Sequence, residues 1–250
     1  MSAVSAVLYR ESKIRATNLM FLFWDLMYPL VYLLVFGVGI NAALGAPMTA
    51  PGVDYNAFFL AGVLAMASFG IASNTAWSFF MDRDNGIFYE MLTYPMSRSE
   101  YLVGKVLFNM FVTLMQSALT VWIASLVLHV PLRLDLAPQL LLATAVGTVG
   151  WFFFYAIFAL RIRRNDLFNT VTSIFYFMFL FVSSMFYPLE PLPRLFRAAG
   201  MLNPITWQVD VLRYCTIGLG DPWRVALEGA AFLAFAAVSF VFASRALQQQ

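Results

Sequence analysis

The residues that could do chemistry in this chain are few and far apart. His129 is the one histidine, and no Cys, His or carboxylate stands at metal-ligand spacing around it. Neither a metal site nor a Ser-His-Asp catalytic set is therefore predicted. Gly104 and Lys105 are similar to the end of a phosphate-binding loop, but that loop needs glycine and Ser or Thr where this chain has Ser99 and Val106. We expect no catalytic residue, no metal, and neither ATP nor another cofactor bound by this chain.

The elements that carry these residues are long apolar runs. Of the 250 residues, 62% are hydrophobic and 11% are charged, whereas about 25% of the residues of soluble domains are charged. A membrane span needs about 20 predominantly apolar residues. The sequence therefore predicts an all-α integral membrane protein in which 1–250 form one six-span domain. The predicted spans are 19–44, 56–80, 101–128, 138–160, 167–187 and 223–244.

The basic residues predict the orientation of these spans. Lys and Arg near span ends favour the cytoplasmic side. If both termini are cytoplasmic, ten of the fifteen Lys and Arg residues lie inside. We predict a multi-pass protein of the cytoplasmic (inner) membrane, with both termini in the cytoplasm and membrane lipid around the spans. No feature predicts a nucleic-acid partner.

Three ionisable side chains lie within or beside the apolar runs. A carboxylate such as Asp25 within a membrane is a functional candidate by default. Because Asp25 lies about two turns from the start of its run, we predict an interfacial position or a pairing with a nearby arginine, with a proton relay or substrate contact as alternatives. Lys105 and Glu228 lie near span ends, where snorkelling or capping suffices. Cys215, the one cysteine, is predicted to be a small apolar filler.

Small residues, aromatic residues and short helices predict how the spans pack. Alanines at intervals of four in the second and sixth spans predict close helix approach. The fifth span is rich in rings and hydroxyls, which face either lipid or a passage for an amphipathic substrate. The candidate passage residues are Phe175, Phe179, Ser183 and Phe186.

Two helical segments outside the spans are also predicted. Residues 1–18 form an interfacial helix, either as an anchor or as a contact for a cytosolic partner. Residues 188–222 form an outer re-entrant hairpin of two short helices, the first opened by Pro191 or Pro193 and closed by Gly200. The second helix has Asn203 and Pro204 at its start and Gly218 past its end.

A polar loop between the second and third spans, residues 82–99, is the most informative segment. Gly86 breaks the preceding helix, and a short amphipathic helix follows until Pro95. Ser97 and Glu100 then predict a capping box for the third span. By itself this loop is either a plain connector or an element that transmits force from a partner.

The order of these features resembles the permeases of type-2 ATP-binding-cassette (ABC) exporters over nearly the full length. The stretch Pro29–Gly39 is also similar to family members that export lipo-oligosaccharides. One departure is Ile87, where the family often has Thr. In the loop the matching residues are Arg83, Gly86, Glu90, Leu92, Pro95, Ser97, Arg98, Gly104 and Lys105. After the fifth span they are Ser183, Ser184, Phe186, Pro188, Glu190, Leu192, Pro193, Asn203 and Pro204.

This resemblance implies one half of a transport pathway. The loop helix would be a coupling helix that docks in a groove of a separate nucleotide-binding ATPase subunit, which would bind ATP and Mg. A second permease copy or a related permease would complete the path for an amphipathic, lipid-linked, glycan or drug-like substrate. The alternative is an ion-gradient-driven secondary transporter or channel. The implied coupling residues are Arg83, Gly86, Phe88, Tyr89, Glu90 and Leu92. The implied outer gate residues are Pro188, Glu190, Asn203, Pro204 and Trp207.

Overall fold

Helices form all the regular structure of the described residues, 2–44 and 53–249, in the computed structural model. A helix satisfies its backbone hydrogen bonds within one segment, as any segment that crosses the hydrocarbon core of a membrane must. The first half contains α1 (Ala3–Thr17), α2 (Leu19–Tyr32), a π-helical turn (Leu33–Gly37), α3 (Val38–Leu44), α4 (Tyr55–Asp84), α5 (Ile87–Met91) and α6 (Arg98–Val127). The second half contains a 3-10 turn (Leu134–Leu136), α7 (Ala137–Arg161), α8 (Asn165–Phe181), α9 (Arg194–Met201), α10 (Pro204–Ile217) and α11 (Pro222–Gln248).

Five helical segments among the described residues are long and apolar enough to cross a membrane. They agree with five of the six predicted spans, and their bounds are Phe23–Ile40, Tyr55–Asp84, Arg98–Val127, Leu134–Arg161 and Pro222–Gln248.

The predicted fifth span, 167–187, differs from the other five. The helix there, α8, has 17 residues and ends at Phe181, which is short of the about 20 residues that cross the hydrocarbon. It ends where the side-chain amide of Asn203 donates to the carbonyls of Phe179 and Val182. This contact from the start of α10 satisfies carbonyl groups that a helix end otherwise leaves unpaired. The six-span arrangement is therefore not confirmed and stays a prediction.

The centre of the structure is α4, which is buried along most of its length. It packs against α6, α7 and α10. The close approach predicted from the alanines of the second span is confirmed, because Ala57, Ala61 and Ala65 are all buried. The same prediction for the sixth span is wrong within this chain, because the corresponding alanines of α11 are exposed. These are Ala226, Ala230 and Ala234.

Local signals set most helix ends as predicted. The Ser97–Glu100 capping box is present at the start of α6. Gly86 adopts a φ of 79°, a left-handed conformation that lets the chain turn sharply between α4 and α5. Asn203 caps α10, with Pro204 at its first position and Gly218 after its end. The first short helix, α9, follows Pro193.

The π-helical turn interrupts the first membrane segment. It follows Pro29, which has no backbone N–H to donate within α2. Gly37 at its end lies against Asn56 of α4, and a Cβ atom there would stand 2.8 Å from Asn56 Oδ1. The first segment is therefore less regular than α4, which it contacts.

The substitution Gly62→Ala tests the close packing of α4. A Cβ atom at Gly62 would lie 2.6 Å from the backbone oxygen of Met185. We expect this overpacking to lower the free energy of unfolding by about 1–3 kcal/mol, measured by thermal or denaturant unfolding in a mild detergent. Gly39→Ala is the control, because a Cβ atom at Gly39 meets nothing within 4 Å and alanine favours a helix. Equal stability of the two variants would contradict the packing.

Candidate functional site

A fully buried lysine joins three helices beside the polar loop. Lys105 of α6 places Nζ 2.8 Å from Glu11 Oε1 of α1 and 2.8 Å from Asp82 Oδ2 of α4. It also donates to the hydroxyl of Ser78 at 3.2 Å. Of the two roles predicted for Lys105, snorkelling to the surface is wrong, because its side chain is 0% exposed. The charge of Lys105 is instead paired with carboxylates inside the protein.

Arg10 completes this buried ion cluster, which we define as Arg10, Glu11, Asp82 and Lys105. The guanidinium of Arg10 lies 2.6 Å from Asp82 Oδ1 and 2.9 Å from Glu11 Oε1. Burial lowers the pKa of Arg10, but its hydrogen bond to Asp82 and the charge of that carboxylate raise the pKa by more, so it lies above the usual value. Two cations thus face two carboxylates, and pairing offsets the several kcal/mol that burying each charge costs.

The short helix α5 is attached to the ion cluster through stacked rings. Phe88 of α5 is fully buried and packs edge to face on Phe79 at 5.5 Å and on Tyr101 at 5.1 Å between ring centroids. The hydroxyl of Tyr101 donates to Asp82. Directly contacting side chains therefore link α5 to α1, α4 and α6.

The predicted coupling residues divide into buried and exposed ones. Arg83 is buried and donates to the carbonyls of Ala159 and Ile162 at the end of α7. Its guanidinium also lies 5.2 Å from the centroid of the Phe80 ring. Arg83 thus ties α4 to α7, and sequence reasoning could not find this because the acceptors are backbone atoms distant in sequence.

Apart from buried Phe88, the other members of that set lie on or beside the exposed face of α5. Tyr89 is 46% exposed, and Glu90 is exposed as well. Leu92 is partly buried against the core, and Gly86 provides the left-handed turn. Among the predicted coupling residues, Tyr89 and Glu90 are the two whose side chains are exposed to a partner. Tyr94, which the sequence reading did not select, is 65% exposed beside them.

The predicted passage residues lie mostly among other aromatic side chains. Phe175 contacts Phe158 at 5.2 Å and Phe179 contacts Trp151 at 5.5 Å, both on α7. Ser183 is buried, and its hydroxyl donates to the carbonyl of Leu180 at 2.7 Å. Phe186 packs on Phe36 and Phe59. None of these four residues lines either of the two cavities described below.

A cavity of about 360 Å³ does lie between α2, α4 and α8, on another face of α8. We call it the lateral cavity. It has aromatic rings, hydroxyls, an amide and a carboxylate in its wall, a combination suited to an amphipathic ligand. The hydroxyl-bearing residues of the fifth span were the sequence signal from which this cavity could have been predicted. Its lining includes Trp24, Asp25, Tyr28, Ser73, Asn74, Thr172, Ser173, Tyr176 and Phe177.

Asp25 lies in the wall of the lateral cavity and has two partners. Its carboxylate pairs with Arg15 of α1 and accepts a hydrogen bond from Asn74 Nδ2 at 3.1 Å. The predicted pairing with a nearby arginine is therefore confirmed. Asp25 contacts the same helix, α1, that the ion cluster holds.

The predicted outer gate residues lie at the opposite end of α4 from α5. Pro188 and Glu190 line a second cavity, of about 690 Å³, which we call the outer cavity. Asn203 caps α8, and Trp207 Nε1 donates to the carbonyl of Met201 at 2.7 Å. Pro204 occupies the first turn of α10. These residues thus divide between the cavity wall and the contacts of α10 with α8 and α9.

Comparison with known proteins gives the family. The model of the ABC-2 type transporter family matches residues 2–217. The chain belongs to the ABC-2 type transporter family. It is 24% identical over 217 residues to the transport permease ycf38 of Pyropia yezoensis, covering 83% of this chain and 74% of that protein. It is 25% identical over 191 residues to the ycf38 permease of Porphyra purpurea, covering 76% and 65% respectively.

Membership of the ABC-2 family has direct consequences for the whole chain. The protein is a multi-pass transmembrane subunit of an ABC transporter, and a subunit of this kind is not itself an enzyme. Membership also implies an ATP-binding partner in general. The family match includes α1, α5 and the ion cluster. The roles of individual site residues remain predictions.

The substitution Lys105→Met tests the ion cluster of this ABC-2 permease. It removes a cation while leaving Glu11 and Asp82 buried, and breaking such a pair costs about 3–5 kcal/mol. We expect a lower unfolding temperature in detergent and faster proteolysis near α1. Lys13→Met is the matched control, because Lys13 is exposed and surface changes usually stay within about 0.5 kcal/mol. A loss of stability in both variants, or in neither, would contradict the cluster.

Proposed function

We propose that this permease is the membrane half of an ATP-driven exporter of amphipathic molecules, with α5 as its coupling helix. The observation that carries the proposal is the continuous contact from α5 to the ion cluster through Phe88 and Tyr101. An exposed helix fixed to buried charges of three other helices is suited to transmit a movement of a docked subunit. An ATPase subunit that binds ATP and Mg is the proposed partner.

The proposed docking surface consists of exposed Tyr89 and Glu90 of α5 and exposed Tyr94 in the turn after it. Tyrosines at an interface combine a large apolar area with a polar group, and a carboxylate between them favours a basic partner residue. Phe88 and Arg83 have a different proposed role, since both are buried in this chain. They fix α5 and the end of α4, so that docking moves whole helices instead of one flexible loop.

The α5 end is proposed to face the cytoplasm. Arg161, Arg163 and Arg164, at the same end of α7, are exposed, and basic residues beside spans favour the cytoplasmic side. Both termini then lie in the cytoplasm. The membrane that contains the protein is proposed to be the cytoplasmic (inner) membrane. In this orientation α1 is the interfacial helix, and α9 with α10 forms the outer re-entrant hairpin.

The lateral cavity is the proposed entry for cargo. It opens beside exposed apolar residues of α2 and α8, which would contact lipid or a second permease copy. We propose that a second copy or a related permease closes this side, with α8 and the residues that follow it as the sixth membrane segment. An amphiphile would place its polar group near Asn74, Thr172 and Tyr176. Exposed apolar residues of these two helices include Phe23 and Val31 of α2 and Ile174 and Phe181 of α8.

An ion-gradient-driven transporter is the alternative from the sequence. Such transporters use intramembrane carboxylates that bind or release the driving ion. Asp25, the carboxylate of the lateral cavity, is engaged by Arg15 and Asn74. This pairing favours a structural role for Asp25 over an ion-carrying one and supports the ATP-driven proposal.

The substitution Glu90→Lys tests coupling at α5. Reversal of the charge at the proposed docking surface should lower cargo-stimulated ATPase activity of the purified complex at least about tenfold, because like charges then face each other across the interface. The permease itself should fold normally, since Glu90 is exposed. Asp135→Lys is the control, since Asp135 is an exposed acid at the other end of the molecule. Undiminished coupling in Glu90→Lys would count against α5 as the coupling helix.

The substitution Tyr176→Leu tests the lateral cavity. It removes a hydroxyl and a ring from the wall, so the order of preference among a panel of amphiphiles should change, measured as ATPase stimulation in reconstituted complexes. Met178→Leu is the matched control, since Met178 is exposed on α8 and is not among the residues that line the cavity. If Tyr176→Leu keeps the wild-type order of preference, this cavity is not the cargo entry.

A further inference from the structure

The short helix α9 lies on the surface of the molecule, at the end of α4 opposite α5. Its Gly200 is buried, and a Cβ atom there would stand 2.9 Å from the side chain of Leu189. Leu189 lines the outer cavity together with Phe58 of α4 and Val225 of α11. Both residues belong to the first turn of their helix. Because α4 and α11 are candidate membrane spans, α9 lies close to the level at which two spans leave the membrane.

One side of α9 is apolar and exposed. Leu195 is 78% exposed, and Leu202, seven positions later and just past the helix, is 73% exposed. With 3.6 residues per turn these two side chains share one side of the helix, next to exposed Phe196. Apolar side chains that lie together on a surface mark an interaction site. At eight residues, α9 is too short to span a membrane, so any contact with lipid runs along its length.

The opposite side of α9 carries two exposed arginines. Arg194 and Arg197 lie one turn apart, and α9 contains no acidic residue. Arg197 donates to the backbone carbonyl of Glu190 at 3.4 Å. This acceptor is neutral and engages only one of the five N–H groups of a guanidinium, so the charge of Arg197 stays unbalanced.

The pairing of the other arginines at this end sets Arg194 and Arg197 apart. Among the described residues, these two form no ion pair, whereas each of the other three arginines at this end has a carboxylate within 3 Å. The three pairs are Arg133 with Asp135, Arg213 with Asp210 and Arg224 with Glu228. Two positive charges on α9 are therefore left for an anionic partner outside the chain.

A phospholipid surface fits both sides of α9 at once. A short helix with basic residues on one side and large apolar residues on the other lies in the plane of a membrane interface, with its apolar side at the boundary between headgroups and acyl chains. Guanidinium groups match the geometry of phosphate oxygens and bind them through paired hydrogen bonds. The level of α9, at the ends of two spans, is the level of the headgroups.

We propose that α9 binds the membrane surface at this end through anionic phospholipid headgroups. Arg194 and Arg197 donate to headgroup phosphates, and Leu195, Phe196 and Leu202 lie among the first methylene groups of the acyl chains. Within the hairpin, α9 is then the lipid-bound part and α10 the part buried in protein. In the proposed orientation this surface is the outer leaflet, and only that name for the leaflet rests on the proposed function.

A fluorescent label on α9 tests the proposal in lipid nanodiscs that contain the full chain. In a Cys215→Ser background, Leu195→Cys carries an environment-sensitive fluorophore. The quencher is a nitroxide at one shallow acyl position, carried either by phosphatidylglycerol or by phosphatidylcholine, in nanodiscs of the same overall composition. We expect both lipids to quench the label, and the phosphatidylglycerol form to do so at least about threefold more efficiently, because each surface arginine attracts anionic lipid. Added salt should reduce this preference.

Variants of the arginines locate the headgroup contact. Arg194→Gln combined with Arg197→Gln should make the two quenchers equally efficient without abolishing quenching. Arg161→Gln combined with Arg163→Gln is the matched control, since it removes two exposed arginines at the α5 end and should keep the preference. All four side chains are exposed, and the salt titration tests the same contact without any change to the arginines.

Several results would overturn the proposal. Equal quenching by the two lipids before any arginine is changed, a preference that salt does not reduce, or a preference unchanged without Arg194 and Arg197 would each do so. Quenching by a water-soluble nitroxide but by neither lipid would show that α9 lies in water. Energy transfer between labels on two copies, in place of quenching by lipid, would show that a second copy covers α9.

The test is independent of transport, because it needs neither ATP nor a partner subunit. Absent lipid quenching beside reduced coupling in Glu90→Lys would therefore overturn the lipid contact of α9 alone. Preferential quenching by phosphatidylglycerol beside undiminished coupling in Glu90→Lys would contradict the proposed function alone.

Discussion

The buried pairing of Lys105 with Glu11 and Asp82 is the constraint on which the α5 end of the structure depends. A lone ammonium group in this position would cost several kcal/mol, so α1 and α4 must keep their carboxylates within reach of it. Arg10 balances the remaining negative charge. Because Lys105 of α6 pairs with Asp82 of α4, neither of these helices can move away by itself without leaving a buried charge unpaired, and α1 would lose its pairs from Glu11 to Lys105 and from Arg10 to Asp82. The cluster therefore favours movement of these helices as one unit.

The same constraint underlies the mechanical role that we propose for α5. A five-residue helix has little stability of its own, since nucleation of a helix is unfavourable. The ring contacts of Phe88 and the left-handed turn at Gly86 hold α5 against the cluster. At the same end, Arg83 joins α4 to the last carbonyls of α7. The buried helix α4 then connects this end to the outer cavity, whereas the first membrane segment has Pro29 and a π-helical turn and is less regular.

Sequence reasoning succeeded where a signal is local and failed where a partner is distant. The Ser97–Glu100 capping box and the Asn203–Pro204 start of α10 depend on residues within one turn of helix, and both were predicted. The burial of Lys105 depends on Glu11, 94 positions away, and no local pattern reports that. The end of α8 at Phe181 likewise depends on the side chain of Asn203. The family resemblance identified the loop helix, but only the packing separates buried Phe88 and Arg83 from exposed Tyr89 and Glu90.

Site-directed cross-linking is a direct test of the proposed docking of α5 on an ATPase subunit. In a Cys215→Ser background, which removes the one native cysteine, Tyr89→Cys and Asp135→Cys each place a single thiol at opposite ends of the molecule. A thiol-reactive photo-cross-linker is attached, and the complex purified from native membranes is illuminated. We predict a cross-link from position 89 to a nucleotide-binding subunit and none from position 135. An intact complex that cross-links from neither position, or equally from both, would contradict it.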